Sequence, residues 1–163
     1  MPGKYLIIQT AFIGDVVLAT SIIENIHAAY PDAEIDFLVR LGNESLLRGH
    51  PYIRKVLIWN KKEKKMQHLF RMLKDVRKEK YDKVINVQRY AATGILTAFS
   101  GSKEKIGFDK NPFSFTYTKK IKHIISPLSI PIAIGRRGVG PAYRTGRGEV
   151  KHELERNHAL IKD

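Results

Sequence analysis

Short apolar runs alternate along this chain with longer segments in which apolar residues recur every three or four positions. Runs of the first kind are typical of buried strands, and segments of the second kind are typical of helices that pack on one side. The pattern predicts strands at residues 4–9, 33–39, 53–59, 82–87 and 104–108. It predicts helices at 15–29, 66–79 and roughly 90–99, with a short turn near 43–48. Because strands and helices alternate through short loops, we expect an α/β fold with a parallel sheet and helices on both faces.

The junction between the first strand and the first helix carries the most informative polar residue. Leu6, Ile7 and Ile8 lead into a tight loop with one glycine, Gly14, and Asp15 then opens the helix. Ligands of open α/β sheets bind beyond the carboxyl ends of the strands, so this carboxylate lies where chemistry usually occurs. A helix N-cap explains Asp15 equally well, because capping by Asp stabilises a helix by about 1 kcal/mol. The loop lacks the G-x-G-x-x-G pattern, which disfavours phosphate binding there.

Three further polar residues are predicted to lie at the same edge of the sheet. Gln88 and Arg89 end the fourth strand, and Lys110 follows the fifth. Cations at this edge suit a ligand rich in carboxylate or phosphate, and Arg can bind either group in a bidentate manner. A solvated surface charge explains each cation equally well.

Length and composition limit the class of protein. The 163 residues fit one domain, and the apolar content of 43% is ordinary for a globular protein. Without cysteine there is no disulfide framework or thiolate metal site, and the six histidines show no metal-ligand spacing. The start of the chain lacks the apolar region of a signal peptide, and no run approaches the ~18 apolar residues of a membrane span. We therefore expect a soluble, cytoplasmic protein.

Net charge is the unusual property, at +13. Residues 61–80 carry nine Lys and Arg against three acids, with apolar residues at helical spacing (Met66, Leu69, Phe70, Leu73 and Val76). This segment predicts an amphipathic helix with a basic outer face. That face is either simply solvated or contacts a polyanion, which would be an anionic membrane surface or, as a less favoured alternative, nucleic acid.

Residues 127–150 break the alternation of strands and helices. The stretch 127–134 is apolar and punctuated by proline, and 135–148 holds five glycines and four arginines without an acid. Such a composition predicts a flexible, basic linker or loop. A disordered Arg/Gly segment that contacts nucleic acid is the alternative.

Six segments, taken in order, resemble the lipopolysaccharide heptosyltransferases of glycosyltransferase family nine. The opening, LIIQTAFIGDVVLAT at residues 6–20, is similar to the start of that family. The other matching segments are AEIDFLV (33–39), GHPYIRKV (49–56), YDKVINVQ (81–88), FSGSKEKIGF (99–108) and HELERNH (152–158). Each segment alone is unspecific, but their shared order identifies the family.

The resemblance implies a GT-B glycosyltransferase, in which two Rossmann-like domains face each other across a cleft. The N-terminal half binds the acceptor, and the second half binds a nucleotide sugar, usually ADP-heptose, whose heptose is transferred with inversion to the lipopolysaccharide inner core. No metal or other cofactor is expected. Asp15 aligns with the proposed general base, a role that suits a carboxylate at a strand's carboxyl end. Thr10, Gly14, Gln88, Arg89 and Lys110 are the predicted substrate-binding residues, with Gly14 letting the loop pass close to the acceptor.

The family also implies how the chain is divided. Residues 1–126 correspond to the acceptor domain and 151–163 to a crossover helix toward a second, missing domain, whereas the linker at 127–150 is predicted from its composition and has no counterpart in the family. We therefore expect the 163-residue chain alone to be catalytically silent. The acceptor is an anionic, lipid-linked saccharide, so contact with the inner face of the cytoplasmic membrane is expected. The alternative is a non-catalytic basic module that binds nucleic acid or an anionic membrane through residues 61–80 and 135–148.

Overall fold

A computed structural model describes residues 3–60 and 65–122 of the chain. Six strands form one sheet: β1 (Lys4–Ile8), β2 (Glu34–Arg40), β3 (Ile53–Trp59), β4 (Lys83–Asn86), β5 (Glu104–Phe108) and β6 (Lys119–Ile121). Their order across the sheet is β3-β2-β1-β4-β5-β6, and every neighbouring pair is parallel. This is the strand order of a doubly wound, Rossmann-like sheet, and it confirms the predicted fold class.

Helices cover both faces of this sheet, as the apolar pattern predicted. They are α1 (Ile13–Ala29), α2 (Lys65–Glu79) and α3 (Ala91–Ala98), with short 3₁₀ helices at Glu44–Leu47 and Ser114–Thr116. Alternate residues of β1 point into two separate cores. Tyr5 and Ile7 pack on the face that α1 covers, whereas Leu6 and Ile8 pack on the face that α2 and α3 cover. Because both faces are buried, the central strands carry apolar residues on both faces, with Asp36 and Asn86 as buried polar exceptions.

The start of α1 differs from the prediction. The helix begins at Ile13, two residues early, and Phe12 is its N-cap residue, without a side-chain capping bond. Gly14 therefore lies within the first helical turn, and the prediction that it belongs to the loop is wrong. Asp15 is the third helical residue, so the capping interpretation of this carboxylate is also wrong. The start of the helix was predicted too late because Phe12 and Ile13 are apolar and neither is a typical capping residue.

Two residues of α2 lie on a different side from the one predicted. Leu69 and Val76 face the core, and Met72 joins them there. Met66 and Phe70, which were predicted to face inward, are 59% and 62% exposed. The buried stripe is therefore narrower than the sequence pattern suggests: Leu69, Met72 and Val76 form it, and the partly buried Leu73 packs against it.

The last strand, β6, was not predicted. Its three residues, Lys119, Lys120 and Ile121, carry two charges and give no apolar signal. They pair with β5 at the edge of the sheet, where charged side chains reach solvent and discourage pairing with another chain. This strand is therefore defined by its backbone pairing with β5 and not by an apolar run.

An ion network holds the edge of the sheet at the amino ends of the strands. Asp36 is fully buried, and its carboxylate accepts hydrogen bonds from Arg54 Nε at 2.9 Å and from the Tyr81 hydroxyl at 2.6 Å. Glu79 accepts from Lys4 Nζ at 2.7 Å and from Arg54 Nη2 at 3.0 Å. Burial, and then the bond to Asp36, raises the pKa of Tyr81 well above its usual value. These groups form part of the framework and lie at the edge opposite the carboxyl ends of the strands.

The predicted linker at 127–150 and crossover helix at 151–163 lie outside the described residues, as do residues 61–64 of the basic segment. The proposed end of the acceptor domain at 126 therefore stays a prediction. Within residues 3–60 and 65–122, no helix has both the length and the apolar character that a bilayer crossing needs.

Candidate functional site

The carboxyl ends of β1 and β4 meet at the point where the strand order of the sheet reverses. β1 pairs with β2 on one side and with β4 on the other, so the chain leaves these two strands in opposite directions. A crevice at such a position is the usual ligand site of an open α/β sheet. Thr10 follows β1 and Gln88 follows β4, and both side chains are buried at this point.

Buried amides and a hydroxyl join the two loops. Thr10 Oγ1 donates to Gln88 Oε1 at 3.4 Å, and Gln88 Nε2 donates to Gln9 Oε1. Gln9 Oε1 also accepts the backbone N–H of Ala11 at 3.2 Å, and Asn86 Oδ1 accepts that of Gln88 at 2.9 Å. The structure therefore brings two predicted site residues, Thr10 and Gln88, together, with their side chains bonded to each other.

Two asparagines from neighbouring loops extend this network. Asn43 Nδ2 donates to the carbonyl of Ala11 at 2.9 Å. Asn111 Nδ2 donates to the carbonyls of Gln88 and Tyr90 at 3.0 and 3.1 Å. Both asparagines are buried, so they fix the backbone of the loops that follow β1 and β4. The floor of the site is thus held by hydrogen bonds from four different loops.

A cleft of about 420 Å³ lies above this floor. Its lining combines aromatic, apolar and basic side chains: Thr10, Ala11, Phe12, Arg40, Leu41, Trp59 and Tyr90. Phe12 and Tyr90 are 70% and 60% exposed, so two aromatic side chains at this cleft reach the surface. The guanidinium carbon of Arg40 lies 5.0 Å from the centroid of the Phe12 ring. This is a concave surface with apolar faces and one cation.

Phe12, Arg40 and Tyr90 line the cleft but were not among the predicted site residues. A signal for Arg40 was present, because it directly follows the predicted second strand (33–39), just as Gln88 and Arg89 follow the predicted fourth (82–87). The rule that selected Arg89 should therefore have selected Arg40. The two aromatic residues carry no comparable signal, since their exposure depends on how the loops are folded.

Asp15 lies in the first turn of α1, at the same edge and three residues beyond Phe12. Its side chain is half-buried. Among residues 3–60 and 65–122 it forms no ion pair and no side-chain hydrogen bond, so no neighbour there occupies its carboxylate. Gly14 is exposed, and a methyl group added at its Cα would meet nothing within 4 Å. The surface next to Asp15 is therefore open.

Arg89 and Lys110, the two predicted cations, are both exposed. Neither forms an ion pair with another described residue, and neither contacts Asp15 through a hydrogen bond. The structure places them in loops at the same edge but does not join them to Thr10 and Gln88. In the same described ranges, no group of three or more His, Asp or Glu side chains could hold a metal ion.

Comparison with known proteins identifies relatives of this chain. The chain is 31% identical over 108 residues to lipopolysaccharide heptosyltransferase 1 of Campylobacter coli, a match that covers 66% of this chain and 31% of the relative. It is 31% identical over 119 residues to lipopolysaccharide heptosyltransferase 3 of Escherichia coli, covering 70% of this chain and 35% of the relative. The resemblance to the lipopolysaccharide heptosyltransferases is confirmed. No family model matches the chain, which spans about a third of the length of these relatives.

Solved structures agree with the fold of this chain. A glycosyl transferase of family 9 from Veillonella parvula superposes with a TM-score of 0.67 at 20% identity, covering 74% of this chain and 36% of that one. The E. coli heptosyltransferase WaaC with ADP superposes with a TM-score of 0.66 at 17% identity, covering 96% of this chain and 45% of that one. At such identities the likeness concerns the fold alone.

Proposed function

We propose that this chain provides the acceptor side of an inverting heptosyltransferase that acts in lipopolysaccharide biosynthesis. In this proposal the cleft above Thr10 and Gln88 receives a saccharide acceptor of the lipopolysaccharide core. The donor, ADP-heptose, is held by a second domain of the kind that the family has. The single observation that carries the proposal is the carboxylate of Asp15, which is half-buried and without a described partner beside the cleft.

The chemistry requires one proton transfer at this edge. As an acceptor hydroxyl attacks the anomeric carbon of the heptose, its proton passes to the carboxylate of Asp15, and the nucleoside diphosphate leaves from the opposite face. A general base positioned in this way contributes about 10²–10⁴-fold to the rate. The buried amide network keeps the loop before α1 in place, so Asp15 and the acceptor can be held in a fixed relative position. Gly14 leaves room for the acceptor next to the carboxylate.

An NMR titration of the chain with inner-core oligosaccharide tests acceptor binding. We expect shifts concentrated at Gly14, Asp15, Gln88 and Arg89. An absence of chemical-shift changes at all four residues would refute the assignment of the acceptor to this cleft.

Transfer itself is tested in an enzyme that joins residues 1–122 to the remainder of WaaC, with ADP-heptose as donor. Asp15→Asn should lower the rate of transfer at least 100-fold, which is the size of a general-base contribution. It should leave the fold unchanged. The matched control is Asp32→Asn, which removes an exposed carboxylate just beyond the far end of α1. Equal activity of the Asp15→Asn and Asp32→Asn enzymes would exclude Asp15 as the base.

The outer surface of α2 favours a second candidate function, contact with an anionic membrane. Arg71, Lys74 and Lys78 are exposed, and none forms an ion pair with a described residue. Met66 and Phe70 are exposed on the same helix, so cations and apolar side chains share this surface. Anionic lipid attracts each cation by about 1 kcal/mol, and apolar side chains can enter the interface.

Co-sedimentation with vesicles tests this contact. Binding to phosphatidylglycerol vesicles but not to phosphatidylcholine vesicles is expected, and Phe70→Ala should weaken it. Equal loss with Phe70→Ala and with Ser45→Ala, a change at an exposed residue distant in sequence, would count against α2. Binding to single-stranded RNA that falls with salt, together with silence on vesicles, would instead favour the nucleic-acid alternative.

A further inference from the structure

None of the roles predicted from the sequence involves Arg40. It is the last residue of β2, at the edge of the sheet where the cleft opens. Its side chain is half-buried and lines the cleft together with Thr10 and Trp59. A cation in this position faces whatever the cleft contains.

The charge of Arg40 is not compensated within the described chain. The ion pairs of residues 3–60 and 65–122 do not include it. The two nearest acids in sequence, Asp36 and Glu44, are both directed elsewhere: Asp36 pairs with Arg54, and the Glu44 carboxylate accepts the backbone N–H of Gly42 at 2.6 Å. By contrast, Arg54, on the neighbouring strand, pairs with Asp36, Glu79 and Glu34. Arg40 therefore keeps its donors available where Arg54 does not.

Phe12 gives this guanidinium a defined position. The Phe12 ring is 70% exposed, and the guanidinium carbon of Arg40 lies 5.0 Å from its centroid. A cation over an aromatic ring is attracted by the negative face of the ring, by about 0.5–1 kcal/mol at exposed sites. Such a contact orients the side chain without using its N–H groups, so the five donors remain free for an oxyanion.

We propose that Arg40, positioned by Phe12, is an anion-binding subsite of the cleft that recognises a carboxylate or a phosphate on the acceptor sugar. The planar guanidinium binds either oxyanion through two parallel hydrogen bonds, which fixes the orientation of the sugar as well as its charge. The exposed rings of Phe12 and Tyr90 offer apolar faces beside this point. The inference rests on the proposed function in one respect, that the acceptor occupies this cleft.

The chain contains its own reporter for this subsite. Trp59 is the only tryptophan, and it lines the same cleft as Arg40. We would titrate the full chain with glucuronic acid, glucose 6-phosphate and methyl glucoside, following Trp59 emission and, in parallel, the heat of binding. The first probe carries a carboxylate, the second a phosphate and the third no charge. The two anionic arms therefore show which oxyanion is preferred.

Four variants locate the binding. Arg40→Met should weaken binding of the preferred anion at least tenfold, and Arg40→Lys should lose part of it because a lysine ammonium cannot bind in a bidentate manner. Phe12→Ala should weaken binding several-fold. The matched control is Arg48→Met, which removes an exposed arginine that does not line the cleft. It should leave binding unchanged.

Three results would each overturn the proposal. Methyl glucoside could bind as tightly as both anions, or neither anion could change Trp59 emission or release heat on binding. The third is that the Arg40→Met and Arg48→Met chains bind the preferred anion with equal affinity. Thermal unfolding of each variant shows whether a loss of binding reflects a loss of fold. The outcome is separate from that of the Asp15→Asn enzyme. Anion binding that depends on Arg40 in a chain whose Asp15 proves dispensable would retain the subsite and reject the proposed general base.

Discussion

The side chains of Thr10 and Gln88, 78 residues apart in sequence, are hydrogen-bonded across the centre of the sheet, with Thr10 Oγ1 donating to Gln88 Oε1 at 3.4 Å. Gln88 also donates to Gln9, so it connects the loops that follow β1 and β4. Both loops bear on the candidate site: one leads into α1 and Asp15, and the other carries Tyr90. The position of the site therefore depends on Gln88, a predicted substrate-binding residue whose side chain is buried and bonded to its neighbours.

Gln88→Leu is expected to destabilise the chain. Leucine has a similar size but can neither donate to Gln9 nor accept from Thr10, and a buried polar group that loses its partner costs about 1–3 kcal/mol. Urea unfolding measures the change. Arg89→Ala, at the exposed neighbouring position, is the control and should stay within about 0.5 kcal/mol of the original chain. Equal unfolding midpoints for the two variants would contradict a framework role for Gln88.

Gly94→Ala should also be destabilising, although alanine favours helices over glycine by about 0.5–1 kcal/mol. A Cβ at position 94 of α3 would lie 2.2 Å from Oδ1 of Asn111. Asn111 would have to move, and its hydrogen bonds to the carbonyls of Gln88 and Tyr90 would be lost.

A double-mutant cycle identifies this cause. In the Asn111→Ala background the clash with the amide is absent, so adding Gly94→Ala should cost clearly less than it does in the original chain. Thermal unfolding of the four chains gives the coupling. Additive effects would mean that Gly94 acts through something other than Asn111.

Gly14→Ala separates stability from function. Apart from the two neighbouring residues and the backbone of the same helix, no atom lies within 4 Å of the added methyl group. Because Gly14 is helical, alanine should raise the free energy of unfolding by about 0.5–1 kcal/mol. If the acceptor approaches Asp15 over this open surface, the same methyl group should weaken oligosaccharide binding. NMR titration and urea unfolding of one variant measure both. A more stable chain that binds the oligosaccharide as before would remove Gly14 from the site.

The sequence predicted the framework better than the site, for physical reasons. Five strands and three helices follow from apolar periodicity, because burial on both faces of a parallel sheet selects those residues directly. Strand β6 was not predicted because Lys119 and Lys120 pair through their backbone and bury little apolar surface. The contact between Arg40 and Phe12 was not predicted because it depends on how two loops meet, which no local sequence pattern encodes. Asp15 was located by its place at the junction of the first strand and the first helix, and family resemblance gave it the role of a base. The structure adds that its carboxylate does not cap the helix.

The ion network at the other edge of the sheet makes stability depend on pH in a defined direction. Hydrogen bonds from Lys4, then Arg54 and Lys55, hold the pKa of Glu79 well below its usual range. A carboxyl group whose pKa is lower in the folded state binds its proton more readily in the unfolded state. Its contribution is therefore fully present above the unfolded pKa, about 4.3, and is lost as the pH falls toward the folded pKa.

Glu79→Gln should accordingly be less stable than the original chain at pH 7, and the difference between them should shrink as the pH falls below about 4.3. Urea unfolding at a series of pH values from neutral to acid measures both curves. Asp32→Asn removes an exposed carboxylate outside the network and should follow the curve of the original chain. A Glu79→Gln curve parallel to that of the original chain down to the acid limit would show that the hydrogen bonds from Lys4, Arg54 and Lys55 leave the proton affinity of Glu79 unchanged by folding. The network would then hold the sheet edge through packing alone.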